Sequence, residues 1–380
     1  MNKVYLDNAA TTPLIDEVID AMLVIMKNHY GNPSSTHSLG QEAKAILEGT
    51  RRKIANELHV TPAEIIFTSC GTEANNLILK SAVEDLKIER IITTRLEHKC
   101  VAESVESLHA SKKIEAVYLK VNDKGDVDVQ ELEQLLKSSD KKTLVSLMHA
   151  NNEIGNLLDI EKVAKICKEN DAFFHSDTVQ TVAHVPLDFS KIPIDFASCS
   201  AHKFHGPKGA GFAFIRKSAH IKAQIHGGTQ ERNLRAGTEN VVGIAGLGKA
   251  FEISVENMAK FSNHIQGIKD YAIAQLTERI PGILFNGRST EKDKSLYTVL
   301  SVSLPSKNPL IGLQLDMKGI AVSQGSACSS GAAKPSSVLS EILSEETQQN
   351  TTPLRVSFSH QTTKSDIDQL VNALVEILAL

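Results

Sequence analysis

The residues that could do chemistry are densest in segment 198–211, which lies between two short apolar runs. Lys203 stands near its middle, with Ser200 and His202 before it and a Pro/Gly-rich turn after it. Most lysines in a protein are solvated surface residues, but the hydroxyl and imidazole donors beside this one indicate another use. Ser200 and His202 can donate to a phosphate, and Lys203 can form a Schiff base with an aldehyde cofactor.

Further donors for this phosphate are indicated at Gly71 and Thr72, where a strand-like run gives way to a helix. The free N–H groups and the dipole of a helix N-terminus suit a phosphate, although an ordinary N-cap gives the same pattern. Neither the P-loop nor the GxGxxG motif occurs, so a nucleotide is the weaker candidate. The segment of Ser200, His202 and Lys203 resembles the cofactor lysine region of pyridoxal 5'-phosphate enzymes of the aminotransferase fold, specifically the class V branch.

The resemblance suggests roles for polar residues that follow other strands. Asp177 would pair with the pyridinium nitrogen of the cofactor, and Gln180 would donate to the ring hydroxyl. His98 would stack on the ring and help to move protons, work that suits an imidazole. Asn152 stands where it could face the cofactor or substrate. A turn or a helix cap would explain each of these residues taken alone. Thr238 matches a threonine that crosses a dimer interface to the other subunit's phosphate site.

The five cysteines are widely spaced and include no CxxC pair, a pattern typical of free thiols in a reducing compartment and not of disulfides or a zinc site. We expect Cys70, Cys167 and Cys199 to be buried and inert. Cys328 differs, because its Ser, Gly and Ala neighbours cannot bury it in an apolar core and instead predict a mobile loop. A cysteine on such a tether can collect an atom from a bound intermediate, once the site has activated its thiol.

With Cys328 the resemblance narrows to the cysteine desulfurases of the longer-loop group, which includes the nitrogen-fixation and iron–sulfur-cluster types. It covers essentially the whole chain, and the Lys203 segment combined with Gly-Ser-Ala-Cys at 325–328 is highly specific. The Arg-x-Gly-His-His-Cys pattern of the shorter-loop group is absent. By the resemblance, Arg355 would hold the substrate carboxylate, with Asn32 near it. Departures from the family pattern concern loop dynamics and partner choice, and stand at Cys70, Gln324, Lys334 and Ser337.

The resemblance implies a reaction that converts L-cysteine to L-alanine. Lys203 would hold the cofactor and remove the α-proton, and Cys328 would take the sulfur as a persulfide. An acceptor thiol would then receive the sulfur, for iron–sulfur cluster assembly or tRNA thiolation. A selenocysteine lyase or another class V enzyme is the alternative, and a non-catalytic member that binds the cofactor or a scaffold protein is a third reading. No resident metal is expected, and Cys328 as a transient iron–sulfur ligand is the one metal role considered.

Composition and net charge limit the classes of partner that this chain can bind. The chain has 380 residues, 41% hydrophobic and 23% charged, which predicts a globular protein of two or three domains. A net charge of -4 argues against nucleic acid or anionic membrane as a direct partner. No apolar stretch approaches a membrane span, and the chain starts without a signal peptide. We therefore expect a cytoplasmic protein. The resemblance adds a homodimer and a sulfur-acceptor or iron–sulfur scaffold protein as partner.

The elements that must position these residues alternate regularly from residue 61 to residue 215. Short apolar strands and amphipathic helices predict an α/β fold with a mainly parallel sheet, covered on both faces, and ligands at its carboxyl edge. A long helix at about 241–260 precedes a smaller α+β region. The aminotransferase fold (fold type I) implies a seven-stranded large domain at 17–258. Its small domain would comprise 1–16 and 259–380 and carry the cysteine loop.

Overall fold

The computed structural model describes residues 3–324 and 336–379, and strands and helices alternate through most of them. The strands are β1 Val4–Tyr5, β2 Ile65–Thr68, β3 Arg90–Thr93, β4 Glu115–Tyr118, β5 Thr143–Ser146, β6 Phe173–Asp177, β7 Phe196–Ser200, β8 Gly211–Ile215, β9 Leu284–Phe285, β10 Val299–Leu304, β11 Ile320–Ala321 and β12 Thr352–Ser357. The helices are α1 Asp16–Asn28, α2 Ser38–Glu57, α3 Gly71–Asp85, α4 Lys99–Ala110, α5 Val129–Lys137, α6 Ile160–Glu169, α7 Gln230–Asn233, α8 Val241–Glu256, α9 Met258–Arg279, α10 Ile311–Met317, α11 Ser337–Ile342, α12 Glu345–Asn350 and α13 Lys364–Leu378. Within these ranges, we find no helix that combines the length and the apolar character of a membrane span.

A seven-stranded sheet in the order β2-β8-β7-β6-β5-β3-β4 forms the centre of the molecule. The neighbours from β4 to β7 pair in parallel, while β8 runs antiparallel to both β7 and β2. Every residue of β3, β5 and β7 is buried, as expected for strands covered by helices on both faces. The predicted mainly parallel seven-stranded sheet is confirmed.

The loops after the parallel strands lie at one edge of this sheet because parallel strands all end on the same side. Helices follow β2, β3, β4 and β5 and return the chain. Side-chain caps start several of these helices. Asp128 accepts from Glu131 N at the start of α5, and Asp159 accepts from Lys162 N at the start of α6. An acidic cap also complements the positive end of the helix dipole. Segments that follow β2, β3, β5, β6 and β7 therefore share the carboxyl edge.

A second cluster of apolar residues lies around β10, which pairs antiparallel with β9 and β12. Val4 and Leu6, from the first residues of the chain, pack into this cluster with residues of α9, β12 and α13. Their position supports the predicted small domain of 1–16 plus 259–380, which we retain as a proposal. The expected helix at 241–260 is wrong at its end, because Asn257 leaves helical geometry and separates α8 from α9.

Candidate functional site

A cavity of about 360 Å³ lies at the carboxyl edge of the central sheet, the edge where open α/β sheets bind ligands. Its size suits a small-molecule cofactor. The walls come from the segments after β3, β5, β6 and β7, from the start of α3 and from β12. The structure brings most of the predicted site residues to this one cavity: Gly71, Thr72, His98, Asn152, Asp177, Gln180, Ser200, His202, Lys203 and Arg355.

Lys203 follows β7 on a single turn of 3-10 helix. Its Nζ donates to the backbone oxygens of Ala9 at 2.7 Å and Ala10 at 2.9 Å. The same N-terminal segment holds the turn itself, since Thr12 N donates to His202 O at 2.8 Å. Residues from the start of the chain therefore fix both the backbone and the side chain of the lysine.

Donors around the start of α3 are suited to an anion. Ser200 Oγ and His202 Nδ1 are buried and have no hydrogen-bond partner within the described part of the chain. Gly71 lies beside them, because a Cβ built on it would stand 3.8 Å from Ser200 Cβ and 2.6 Å from Val179 Cγ2. Cys70 is the N-cap of α3, but its side chain makes no cap hydrogen bond. It is half-buried and lines the cavity, so the expectation that it is buried is wrong. Burial, helped by nearby lysine charges, lowers the pKa of His202 to about 4. Unpaired donors at a helix N-terminus suit a phosphate group.

Asp177, at the end of β6, brings a carboxylate to the cavity and is only 5% exposed. Its Oδ1 accepts from Val179 N at 3.0 Å and its Oδ2 from Asn75 Nδ2 at 2.7 Å. Both oxygens act as acceptors, the role of a carboxylate ion that can pair with a protonated ring nitrogen. Gln180 Nε2 donates to Ala9 O at 3.1 Å, so its amide is bound to the N-terminal segment.

His98 caps α4, and its Nδ1 accepts from the backbone N–H of Cys100 at 3.2 Å. The sulfur of Cys100 lies 3.0 Å from the same ring nitrogen. Burial lowers the pKa of His98; the Asp177 carboxylate opposes this shift and the Lys203 charge adds to it. The imidazole is therefore neutral at neutral pH.

Arg355, on β12, brings a guanidinium that is 4% exposed. Nη2 donates to Asp7 Oδ1 at 2.7 Å and to Ser323 Oγ at 3.0 Å, and Nη1 donates to Asn152 O at 2.9 Å. Nε has no partner among the residues that the structure describes. One carboxylate is thus already paired with Arg355, and a donor remains for a second.

The sequence did not single out Asn75, Glu97 and Cys100, which stand in or directly behind the cavity wall. Glu97 accepts from Met148 N at 2.6 Å, and burial raises its pKa well above the usual range. Burial therefore favours the protonated, neutral form of this carboxyl. Two of these residues could have been found from the sequence. Glu97 directly precedes the predicted site residue His98, and Asn75 lies one helical turn after Gly71, on the same face of α3.

Known proteins are similar to this chain in sequence and in fold. The model of the family described as aminotransferase class-V matches residues 4–370. The cysteine desulfurase IscS of Dictyoglomus turgidum is 41% identical over 380 residues, which cover 99% of this chain and 94% of that protein. This chain belongs to the cysteine desulfurases of the class V aminotransferase family.

Solved structures agree with this assignment. A NifS-like protein superposes on the desulfurase with a TM-score of 0.90 at 38% identity, and the match covers 100% of each chain. The structure of SspA in complex with cysteine gives a TM-score of 0.81 at 29% identity, covering 95% of this chain and 100% of that one. The fold and the enzyme class predicted from the sequence are confirmed.

Three predicted site residues of this desulfurase are not brought to the cavity by the described chain. Asn32 and Thr238 are exposed, and neither is among the described residues that line the cavity. The loop of Thr238 is held against α3 by an ion pair between Arg235 Nε and Glu73 Oε1 at 2.8 Å. Cys328 lies outside the described residues, so its role stays a prediction.

The site also groups three potential metal ligands. Ligand atoms of His98, Cys100 and Asp177 all lie within 4.8 Å of one another. Hydrogen bonds already engage all three side chains. The expectation that this desulfurase carries no resident metal stays a prediction.

Proposed function

We propose that this desulfurase converts L-cysteine to L-alanine with pyridoxal phosphate bound at Lys203, and that Cys328 receives the sulfur. One arrangement carries the proposal. Lys203 shares a cavity with the carboxylate of Asp177 and with donors of Ser200 and His202 that have no partner in the described part of the chain. The solved structure of SspA in complex with cysteine supports the choice of substrate.

The residues present fit the cofactor. Ser200, His202 and the first turn of α3 would take the phosphate, since Ser200 Oγ and His202 Nδ1 have no partner among the described residues and a helix N-terminus suits an anion. Asp177 would keep the ring nitrogen protonated. When bound, pyridoxal phosphate supplies an electron sink for the charge that develops at the α-carbon of an amino acid.

Side chains of this protein would bind and orient the substrate. Nε of Arg355, which has no partner among the described residues, can donate to the substrate carboxylate. The substrate would then compete with Asp7 for the same guanidinium. We assign proton removal at the α-carbon to Lys203. The neutral imidazole of His98 would assist further proton movement.

The transfer of sulfur requires only the substrate and one thiol of the protein, and no external oxidant or reductant. The thiolate of Cys328 attacks the sulfur of L-cysteine, the carbon–sulfur bond breaks and a sulfur–sulfur bond forms. The electron pair of the broken bond stays with the β-carbon, which takes up a proton. Carbon is thereby reduced, sulfur is oxidised to a persulfide on Cys328, and L-alanine leaves.

A persulfide must pass its sulfur to another thiol before the next turnover. We propose a sulfur-acceptor or iron–sulfur scaffold protein in the cytoplasm as that partner, serving cluster assembly or tRNA thiolation. We also propose a homodimer in which Thr238 of each subunit completes the phosphate site of the other. The exposure of Thr238 outside its own cavity supports this assignment.

The first test is an absorbance spectrum of the purified protein with pyridoxal phosphate, followed by addition of L-cysteine and reductant. We expect a cofactor band, and alanine and sulfide in equal amounts. A band without alanine would refute the desulfurase, and no band would refute the assignment of Lys203. Cys328→Ala should keep the band and lose desulfuration, and full turnover in that variant would contradict the persulfide step. Lys203→Ala should yield no borohydride-fixed adduct by mass spectrometry.

A further inference from the structure

A chain of buried polar side chains runs behind the wall of the cavity. Ser146 on β5, His175 on β6 and Asn75 on α3 are each 0% exposed. Ser146 Oγ lies 2.8 Å from His175 Nδ1, and His175 Nε2 lies 3.0 Å from Asn75 Oδ1. Asn75 Nδ2 lies 2.7 Å from Asp177 Oδ2. Four side chains from three elements are thus linked in series.

The chemistry of the four groups fixes the direction of each hydrogen bond. A carboxylate only accepts, so Asn75 must present its amide nitrogen to Asp177. The amide oxygen of Asn75 then faces His175 and requires an N–H on Nε2. Burial lowers the pKa of His175 to about 4, which makes this ring neutral. Its Nδ1 therefore accepts from the hydroxyl of Ser146, and every bond donates towards Asp177.

The second hydrogen of the Asn75 amide starts another branch. Asn75 Nδ2 lies 3.2 Å from the sulfur of Cys100, and that sulfur lies 3.0 Å from His98 Nδ1. Burial, with the nearby Asp177 charge, raises the pKa of the Cys100 thiol to about 12. The thiol keeps its hydrogen and donates to His98 Nδ1, alongside the backbone N–H of Cys100.

We propose that Asn75 is a positioning residue that holds both the Asp177 carboxylate and, through the Cys100 thiol, the His98 imidazole. With two donors on Nδ1, the neutral ring of His98 carries its hydrogen on Nε2. His98 therefore meets the cavity as a hydrogen-bond and proton donor. The hydrogen-bond contacts are made by the protein alone, without a cofactor, and only their effect on the cofactor rests on the proposed function.

The tautomer of His98 is tested by long-range proton–nitrogen NMR on protein labelled with ¹⁵N-histidine and prepared without cofactor. His98→Gln assigns the signal. We expect Nδ1 to show the shift of an unprotonated acceptor and Nε2 that of a protonated nitrogen. A protonated Nδ1, or an equal mixture of tautomers, would overturn the proposal. Because no cofactor is present, this measurement is independent of the proposed function.

The Cys100 branch is tested by titrating the same signal. Cys100→Ala removes one donor from Nδ1, which makes that nitrogen more basic, so the midpoint should rise by about half a pH unit. Cys100→Ser keeps a donor and should stay near the wild type. Cys167→Ala is the control, since Cys167 is a buried thiol that lies in α6. Equal midpoints in all four proteins would refute this branch.

The Asp177 branch is tested with the cofactor. Asn75→Leu removes a hydrogen bond to a charged group, so its affinity for pyridoxal phosphate should fall about tenfold or more. The pH midpoint of the cofactor absorbance should also move, which a purely structural defect would not cause. A folded Asn75→Leu protein with wild-type affinity and midpoint would refute this branch. If that variant does not fold, His175→Leu and His175→Gln replace it, and only Gln should restore the wild-type midpoint. If the wild type shows no cofactor band, the proposed function fails and the NMR result stands.

Discussion

Lys269, on α9, is a buried cation outside the site and allows a quantitative prediction. Its side chain is 2% exposed, and Nζ donates to Ser295 Oγ at 2.9 Å and to Leu296 O at 3.0 Å. Both acceptors are neutral. Burial lowers the pKa of Lys269 from its usual 10.5 to about 7, and the charge of Asp270 opposes this shift.

Proton linkage sets the direction in which the free energy of unfolding changes with pH. The unfolded chain holds the Lys269 proton up to about pH 10.5, whereas the folded protein loses it near pH 7. Unfolding therefore takes up a proton between these values, and the free energy of unfolding rises with pH. At about 1.36 kcal/mol per pKa unit, the charge penalty is about 4 kcal/mol at pH 7 and about 2 kcal/mol at pH 9. Lys269 should add about 2 kcal/mol of stability over this interval.

Urea unfolding at pH 7 and pH 9 measures this gain. Lys269→Met removes the titrating group, so the wild type should gain about 2 kcal/mol more than this variant over the interval. Lys292→Met, at an exposed position of the same region, is the control and should follow the wild type. Comparing the pH dependence cancels the constant cost of the two lost hydrogen bonds. Parallel curves for Lys269→Met and the wild type would refute the reasoning.

Three further substitutions test the site, and the first of them has a matched control. Gly71→Ala places a Cβ 2.6 Å from Val179 Cγ2, so it should cost about 1–3 kcal/mol in thermal unfolding and weaken binding in a cofactor titration. Gly49→Ala, which meets nothing within 4 Å, should be neutral or stabilising. Arg355→Lys cannot keep the three contacts of the guanidinium and should raise KM for L-cysteine about tenfold or more in an alanine assay; an unchanged KM would contradict the carboxylate role. Thr238→Val should weaken cofactor binding several-fold without changing the mass of the dimer in light scattering, and equal affinity would argue against a shared site.

The sheet could be predicted because its strands are short apolar runs separated by amphipathic helices. The strands β1, β9 and β11 are harder to predict, because each has only two residues and shows no periodicity. They form only where distant segments of the chain meet. The break at Asn257 was expected later, at about residue 260. Sequences on both sides of it favour helix, and only packing sets the angle between α8 and α9.

By itself the sequence determined the alternation of strands and helices that builds the large sheet, and the placing of Lys203, Asp177 and His98 after strands. Parallel strands bring such residues to one edge, so their meeting in one cavity followed from local signals. Only the tertiary structure decided that Asn75 joins this group and that Asp7 pairs with Arg355, 348 positions away. Hydrogen bonds between segments so far apart depend on how helices and domains pack, and no local pattern of residues records that packing.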